Sequence, residues 1–158
     1  MGKMQFKQAT IKDWKLVEKL EKGSESPFFE PCTGEEGYKR YIEESKVFFI
    51  INNKNPIGTI SYKIDKKAIL VNGLTILPKY RGEGIATKAM KKLLSKLGNK
   101  NITLVVHPKN IPALLIYLRF GFAIIGWKDN YFGNGQPRLF LRKNKNQGTS
   151  HQSYSKSS

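Results

Sequence analysis

Two stretches of this chain carry residue types whose spacing could do chemistry. The first is Leu74-Thr75-Ile76-Leu77-Pro78-Lys79-Tyr80-Arg81-Gly82-Glu83-Gly84-Ile85-Ala86-Thr87. An apolar run feeds a loop with two glycines, and the loop opens directly into a helical pattern. The first amides of a helix have no acceptor inside it, and the peptide dipoles leave a partial positive charge there. Glycine lets backbone come close to an anion, so the pattern suits a pyrophosphate cradle. No Gly-Lys-Ser/Thr follows, which excludes the phosphate loop of nucleoside-triphosphate enzymes. The third glycine of a dinucleotide fingerprint is missing, and antiparallel strand patterns precede the loop. Gly73, inside the preceding strand, marks a bulge or a close backbone approach.

The second stretch is Asn110-Ile111-Pro112-Ala113-Leu114-Leu115-Ile116-Tyr117-Leu118-Arg119-Phe120-Gly121-Phe122. Asn110 at the cap, Pro112 in the first turn and Gly121 at the stop bound an apolar helix. Asn110 and Tyr117 lie about two turns apart, hence on one helix face. On this pattern alone Tyr117 is a core aromatic. His107 is the one histidine before the C-terminal tail. The ordinary pKa of an imidazole suits proton transfer near neutrality, and a strand-end histidine facing solvent is the plain alternative. Cys32 is the single cysteine, so an internal disulfide and a multi-cysteine zinc site are excluded, and no metal is expected.

The elements that must position these residues follow from periodicity. Gln5 to Gln8 reads as a first strand. Thr10 caps a helix over Ile11 to Lys22, with Trp14, Val17 and Leu20 on one face and Gly23 as the stop. Ser24 to Pro31 is a loop, and Thr33-Gly34-Glu35-Glu36 fits a capping box for a second helix to about Ser45. Val47 to Ile51, Ile57 to Ile64 and Ala68 to Leu77 form an antiparallel meander, with Asp65-Lys66-Lys67 as a hairpin turn. A helix then spans Ile85 to Leu97, with Lys88, Lys91, Lys92 and Lys96 on its outer face. Ile102 to Val106 is a buried-type strand. Phe122 to Lys128 and Arg138 to Arg142 are the last two strands, joined around Gly133-Asn134-Gly135.

The chain has 158 residues, 39% of them hydrophobic, which suits one domain over residues 1–143 with a real core. Residues 144–158 are Ser-, Asn-, Gln- and Lys-rich and read as a disordered tail. No apolar run approaches the roughly 18 residues of a membrane span, and the N-terminus has no apolar leader, so a cytoplasmic location and no membrane partner are expected. Lys plus Arg is 28 against 12 for Asp plus Glu, a formal charge of +16. That charge is diffuse, with no basic arm. It allows nonspecific association with nucleic acid or ribosomes and points to no particular reading motif.

Together the two stretches resemble the GNAT superfamily of N-acetyltransferases. Arg81-Gly82-Glu83-Gly84-Ile85-Ala86 fits that superfamily's Arg/Gln-x-x-Gly-x-Gly/Ala acetyl-CoA loop. Asn110, Ala113, Tyr117 and Gly121-Phe122 fit its Asn-x-x-Ala-x-x-x-Tyr-x-x-x-Gly-Phe helix, in the right order and register. The resemblance implies an α/β (α+β) fold: a mixed, mostly antiparallel sheet of about seven strands, flanked by four helices and splayed between strands four and five. It implies acetyl-CoA as acetyl donor, with its arm entering that splay. The main chain of Leu74, Thr75 and Ile76 would pair with the pantetheine. The amides of Arg81, Gly82, Glu83, Gly84, Ile85, Ala86 and Thr87 would hold the pyrophosphate. Asn110 would bond the arm near the thioester, and Tyr117 would serve the leaving thiolate as general acid.

The acceptor implied is a primary amine. Asn130-Tyr131-Phe132 before Gly133-Asn134-Gly135 resembles the last hairpin of the ribosomal-protein and Nα-acetyltransferase branch, which points to a protein N-terminus. Pro137-Arg138-Leu139 departs from that branch's pattern. Phe28, Phe29, Glu30 and Tyr131 stand where such enzymes shape the acceptor pocket. A lysine or small amine as acceptor is an alternative. So is a fold relative that binds acyl-CoA or nucleic acid without turnover. The general base is open: many relatives carry Glu on the fourth strand, where this chain has Asn72 and Gly73. His107, or ordered water with main-chain carbonyls, would have to serve.

Overall fold

The computed structural model describes residues 3–66 and 68–146. Its seven strands are β1 (Met4–Gln8), β2 (Lys46–Asn52), β3 (Asn55–Asp65), β4 (Ala68–Ile76), β5 (Ile102–Val106), β6 (Ala123–Lys128) and β7 (Arg138–Lys143). The helices are α1 (Trp14–Gly23), α2 (Gly34–Glu44), α3 (Ile85–Leu97) and α4 (Ile111–Arg119). One mixed sheet runs in the order β1-β2-β3-β4-β5-β7-β6, parallel only between β4 and β5. This is the fold class implied by the two motifs.

Local sequence explains most boundaries. The α3 and β5 limits are those the pattern gives. The first helix starts later than expected, because Ile11–Asp13 is a separate 3-10 turn. There the Asp13 carboxylate accepts the Thr10 N–H at 2.8 Å and the Thr10 hydroxyl at 3.1 Å. Thr33 stands at the start of α2, but its side chain makes no cap bond, and Gly34 follows with φ +66°. The C-terminal segment stays structured slightly past the expected boundary. Asn146 and Asn99 exchange two hydrogen bonds of 2.7 and 2.8 Å, and the Lys145 N–H reaches Asn101 at 2.7 Å. The rest of the expected tail lies outside the described residues. No helix among the described residues is long and apolar enough to cross a membrane.

The two faces of the sheet differ. Phe48, Ile50, Ile60, Val71 and Ile76 pack with Ile85, Ala89, Met90 and Leu93 of α3 in the main core. Val47 and Phe49 turn the other way, with Val17 and Leu20 of α1 and Tyr38 and Ile42 of α2. On that second face the middle of β3 and β4 presents Thr59, Ser61 and Thr75 instead of apolar side chains, and all three are buried.

The feature that positions the site is where β4 and β5 part. Their pairing covers only Ile69↔Ile102, Leu70↔Thr103 and Val71↔Leu104. The next residue, Asn72, is skipped by β3, which pairs Ser61 with Gly73 and Tyr62 with Val71. An extra residue bends its strand and sharpens its twist. The bulge therefore sits at the point where β4 turns away from β5, and residues 73–76 keep β3 on one edge and, among the described residues, have no strand on the other.

Candidate functional site

The glycine loop joins the end of β4 to α3. Gly82 and Gly84 have φ of +80° and +76°, and a Cβ at either would meet nothing within 4 Å. Backbone handedness, not space, requires glycine there. Gly84 is the N-cap of α3, so no side chain satisfies the helix start, and the first turn holds no acidic residue. The first intrahelical bond runs from the Lys88 N–H to the Gly84 carbonyl at 3.1 Å. The Ile85, Ala86 and Thr87 amides thus have no acceptor within the helix. Arg81 does something other than reach for an anion. Its Nε donates to the Ile76 carbonyl at 3.1 Å, and its Nη2 donates to the Ser24 carbonyl.

Across the splay, α4 starts at Asn110, whose side chain makes no cap bond and no other hydrogen bond among the described residues. Tyr117 is 8% exposed, its ring edge-on to Phe122 at 6.0 Å. Its hydroxyl makes no hydrogen bond among the described residues, and burial pushes its pKa up to about 12. A groove of about 670 Å³ runs between α3 and α4, from Thr87 past Lys91 and Ile116 to Arg119.

At the mouth of the splay three segments meet: the α1–α2 loop, the end of β5 and the β6–β7 hairpin. Phe28 lies against His107 with ring centroids 4.8 Å apart. Glu30 accepts a hydrogen bond from Asn134 of the hairpin. Tyr131 packs edge-on to Phe132 at 4.6 Å and to Phe140 at 5.4 Å. The structure thus joins Phe28 and His107 and ties Glu30 to the hairpin that carries Tyr131. Phe29 is half-buried in the same turn as Phe28 and makes no ring contact among the described residues.

His107 is 4% exposed, so it does not face solvent. Its Nδ1 accepts the Lys109 N–H at 3.0 Å, which makes Nε2 the protonated nitrogen, donating to Gln136 Oε1 at 2.9 Å. The one lone pair that could take a proton is already engaged.

Sequence reasoning missed several residues here. Arg138 is 3% exposed. It donates to the Pro137 carbonyl at 2.9 Å and the Phe28 carbonyl at 3.4 Å, with its guanidinium 5.0 Å from the Phe132 ring. Burial lowers its pKa and Glu30 pulls it back up. Gln136 holds His107. A polar group also lies under α1 and α2. The Ser61 hydroxyl donates to Asn72 Oδ1 at 2.7 Å, the Asn72 amide donates to Ser45 Oγ at 2.9 Å, and Tyr41 hydrogen-bonds Ser61. Thr59 and Thr75 share a 2.8 Å bond. Glu21 sits beside them at 2% exposure, with neither carboxylate oxygen hydrogen-bonded among the described residues. Helical spacing places Glu21 four residues after Val17 and seven after Trp14, on the face read as buried, as it also places Glu18 four after Trp14. That was a signal, but not one that separates it from a rim residue.

A family profile described as acetyltransferase (GNAT) family matches residues 11–122. The chain belongs to the GNAT family. A search of curated proteins finds no match. Among solved structures, the ribosomal-protein-S18-alanine N-acetyltransferase from Escherichia coli superposes with a TM-score of 0.74 at 14% identity, over 89% of this chain and 92% of that one. Arabidopsis thaliana Naa50, in complex with the bisubstrate analogue CoA-Ac-MVNAL, gives 0.74 at 20% identity, over 89% and 98%. A GNAT acetyltransferase from Elizabethkingia anophelis with acetyl-CoA bound gives 0.69 at 16% identity, over 89% and 97%. These likenesses establish the GNAT fold, and membership of the family makes the chain an acyltransferase. The free α3 amides, the unpaired edge of β4 and the free Asn110 amide fit the acetyl-CoA that the family uses. Among the described residues no group of His, Cys, Asp and Glu could hold a metal ion.

Proposed function

We propose that this GNAT protein transfers the acetyl group of acetyl-CoA to a primary amine, and that its acceptor is the α-amine of a protein N-terminus. One observation carries the reading. β4 and β5 part at Val71↔Leu104, between a free helix N-terminus on one side and an aromatic mouth on the other. Acetyl-CoA supplies an activated thioester, and the amine displaces its thiolate. The Arg81 N–H is taken by the Pro78 carbonyl at 3.1 Å, so of the expected amides those of residues 82–87 would hold the pyrophosphate, and the main chain of Leu74, Thr75 and Ile76 would align the arm. The β4 amides also supply donors for the developing oxyanion. Asn110 would fix the arm near the thioester, and Tyr117 would meet the leaving sulfur. Phe28, Phe29, Glu30 and Tyr131 would wall the acceptor. His107 shapes that wall through Phe28 and Gln136. To act as a base it would first have to release the Lys109 amide.

The test is a time course of CoA release with a peptide mixture, followed by mass-spectrometric mapping of the acetyl group. Acetyl on free α-amines, absent from peptides with blocked N-termini, is the expected result. Acetyl on internal lysines would move the acceptor to a side-chain amine. Tight acetyl-CoA binding without release would make the protein a non-catalytic binder.

A further inference from the structure

Among the residues that the donor and acceptor readings leave unused, one group stands out by burial and by orphaned oxygens. Glu21 ends the inner face of α1 at 2% exposure. Both its oxygens and the Tyr38 hydroxyl are buried with no hydrogen bond of full geometry among the described residues, although the Tyr41 and Thr59 hydroxyls lie close enough to pull on the carboxylate. A buried polar group ordinarily finds a partner, so three orphans in one place call for a reason. The second observation lies at the bulge. A Cβ on Gly73 would stand 2.8 Å from the Tyr41 hydroxyl and 2.7 Å from Ser61 Oγ. The Tyr41 hydroxyl thus occupies the place from which a side chain on residue 73 would project, on the face of β4 turned to α1 and α2.

The hydrogen bonds fix the direction of the hydroxyls. The Asn72 amide donates to Ser45, so its Oδ1 can only accept, and Ser61 donates to it. Ser61 has one proton, so its short contact with Tyr41 is donated by Tyr41. The Tyr41 oxygen keeps lone pairs free. Tyr41 and Glu21 lie close enough to act on one another, so rotation about the Tyr41 C–O bond can exchange Ser61 for Glu21 as acceptor.

We infer that Glu21 is the proton acceptor of the transfer, acting through the Tyr41 hydroxyl, a role that rests on the acetyltransfer reading above. As the amine nitrogen bonds to the thioester carbon, its N–H proton passes to Tyr41 Oη and the Tyr41 hydroxyl proton passes to a Glu21 oxygen. The carbon–sulfur bond breaks and the electron pair leaves on sulfur. One proton is lost from nitrogen and one is gained by Glu21, which returns it to solvent after turnover. Tyr41 touches the amine, and Glu21 is the positioning residue behind it. The carboxylate arrives from α1 instead of from β4.

The surroundings agree. Burial pushes the Glu21 pKa up to about 7, against the smaller pull of the Tyr41 and Thr59 hydroxyls, which places its proton exchange near neutrality. The groups facing it are Tyr38 and Tyr41 from α2, Cys32 from the α1–α2 loop and Thr59 from β3, with Glu18 one turn back on α1. None is a cation. Burial and the Glu21 charge hold Tyr41 well above the usual phenol range, so it passes a proton on and does not keep the charge itself.

The experiment is the pH dependence of kcat/KM for acetyl transfer to an N-terminal peptide. It compares wild type with Glu21→Gln, Glu21→Asp, Tyr41→Phe and the Glu21→Gln/Tyr41→Phe double variant. Wild type should show a limb rising through an ionisation near pH 7. Glu21→Gln should lose that limb and 10²-fold or more of kcat, with acetyl-CoA affinity unchanged. Tyr41→Phe should do the same, and the double variant should be no slower than either single one, as residues acting in series are. Glu21→Asp should keep a weakened limb. An active Glu21→Gln whose limb matches wild type overturns the inference alone. If Glu21→Gln does not fold, a full limb in Tyr41→Phe overturns it equally. A wild type that transfers no acetyl group to any amine overturns the acetyltransfer reading, and this inference with it.

Discussion

A phenol held at a pKa of about 12, as Tyr117 is, stays neutral at any pH a cell reaches. It is a stronger acid in no sense than the thiol it would serve, since an ordinary thiol has a pKa of about 8.5. Its contribution is therefore a hydrogen bond to sulfur as charge develops, not an early proton. Tyr117→Phe keeps the ring against Phe122 and removes that bond. The expected loss is in kcat, about 10²-fold, with acetyl-CoA affinity by calorimetry and Tm unchanged. Glu21 gives the opposite trade. Its carboxyl is raised in the folded state from 4.5 to about 7, so the folded chain holds a proton that the unfolded chain has lost over that window. Stability from this group is intact below pH 4.5 and falls as pH rises toward 7, by about 3 kcal/mol in all. Melts of Glu21→Gln should match wild type at pH 4.5 and exceed it by several degrees at pH 8. A residue that costs stability at working pH is the pattern expected of a functional group. The sequence could mark Tyr117 through its spacing from Asn110. It could not mark Glu21, because α1 holds five Lys or Glu residues and only packing against Thr59 and Tyr41 sets one apart.

At the scale of elements, the glycine loop was legible because its constraint is local. Gly84 needs positive φ to turn β4 into α3, and no distant residue has to agree. Gly84→Ala should therefore cost about 1 kcal/mol of stability through backbone handedness alone, since its Cβ meets nothing, and should still bind acetyl-CoA. Gly84→Asp adds a negative charge at the helix N-terminus and should weaken acetyl-CoA binding at least tenfold. Calorimetry on the pair separates the two causes. Wild-type affinity in the aspartate variant would place the pyrophosphate elsewhere. The bulge was only half legible. Gly73 signalled a close approach, yet what approaches is a hydroxyl from α2, 32 residues earlier in the chain. The insertion of β7 between β5 and β6 was not legible either, since sequence neighbours ordinarily pair and the pattern of each strand is the same in both orders.

Over the whole molecule, +16 is a surface property whose lysines have local duties. Lys92 and Lys96 of α3 lie 5.3 and 5.4 Å over the Phe6 and Phe48 rings, so part of that charge also covers the core. Any binding to nucleic acid should fall steeply with salt and show no preference among sequences. Filter binding at low and high ionic strength with two unrelated duplexes checks this.

Arg81 has a consequence at the same scale. Its backbone opens the glycine loop, while its guanidinium grips the last carbonyl of β4 and the Ser24 carbonyl at the end of α1. A donor seated on the loop would steady a side chain that shares with Asn134 and Arg138 the tethering of the segment bearing Phe28 and Glu30. Coupling between two sites is reciprocal in free energy, so each substrate would tighten the other. In kinetic terms this is binding synergy: either substrate, once bound, lowers the apparent KM of the other. Initial-rate patterns for wild type should show that synergy, and Arg81→Gln should abolish it with a several-fold higher KM for the amine, the tether gone and each half of the enzyme free to fill alone.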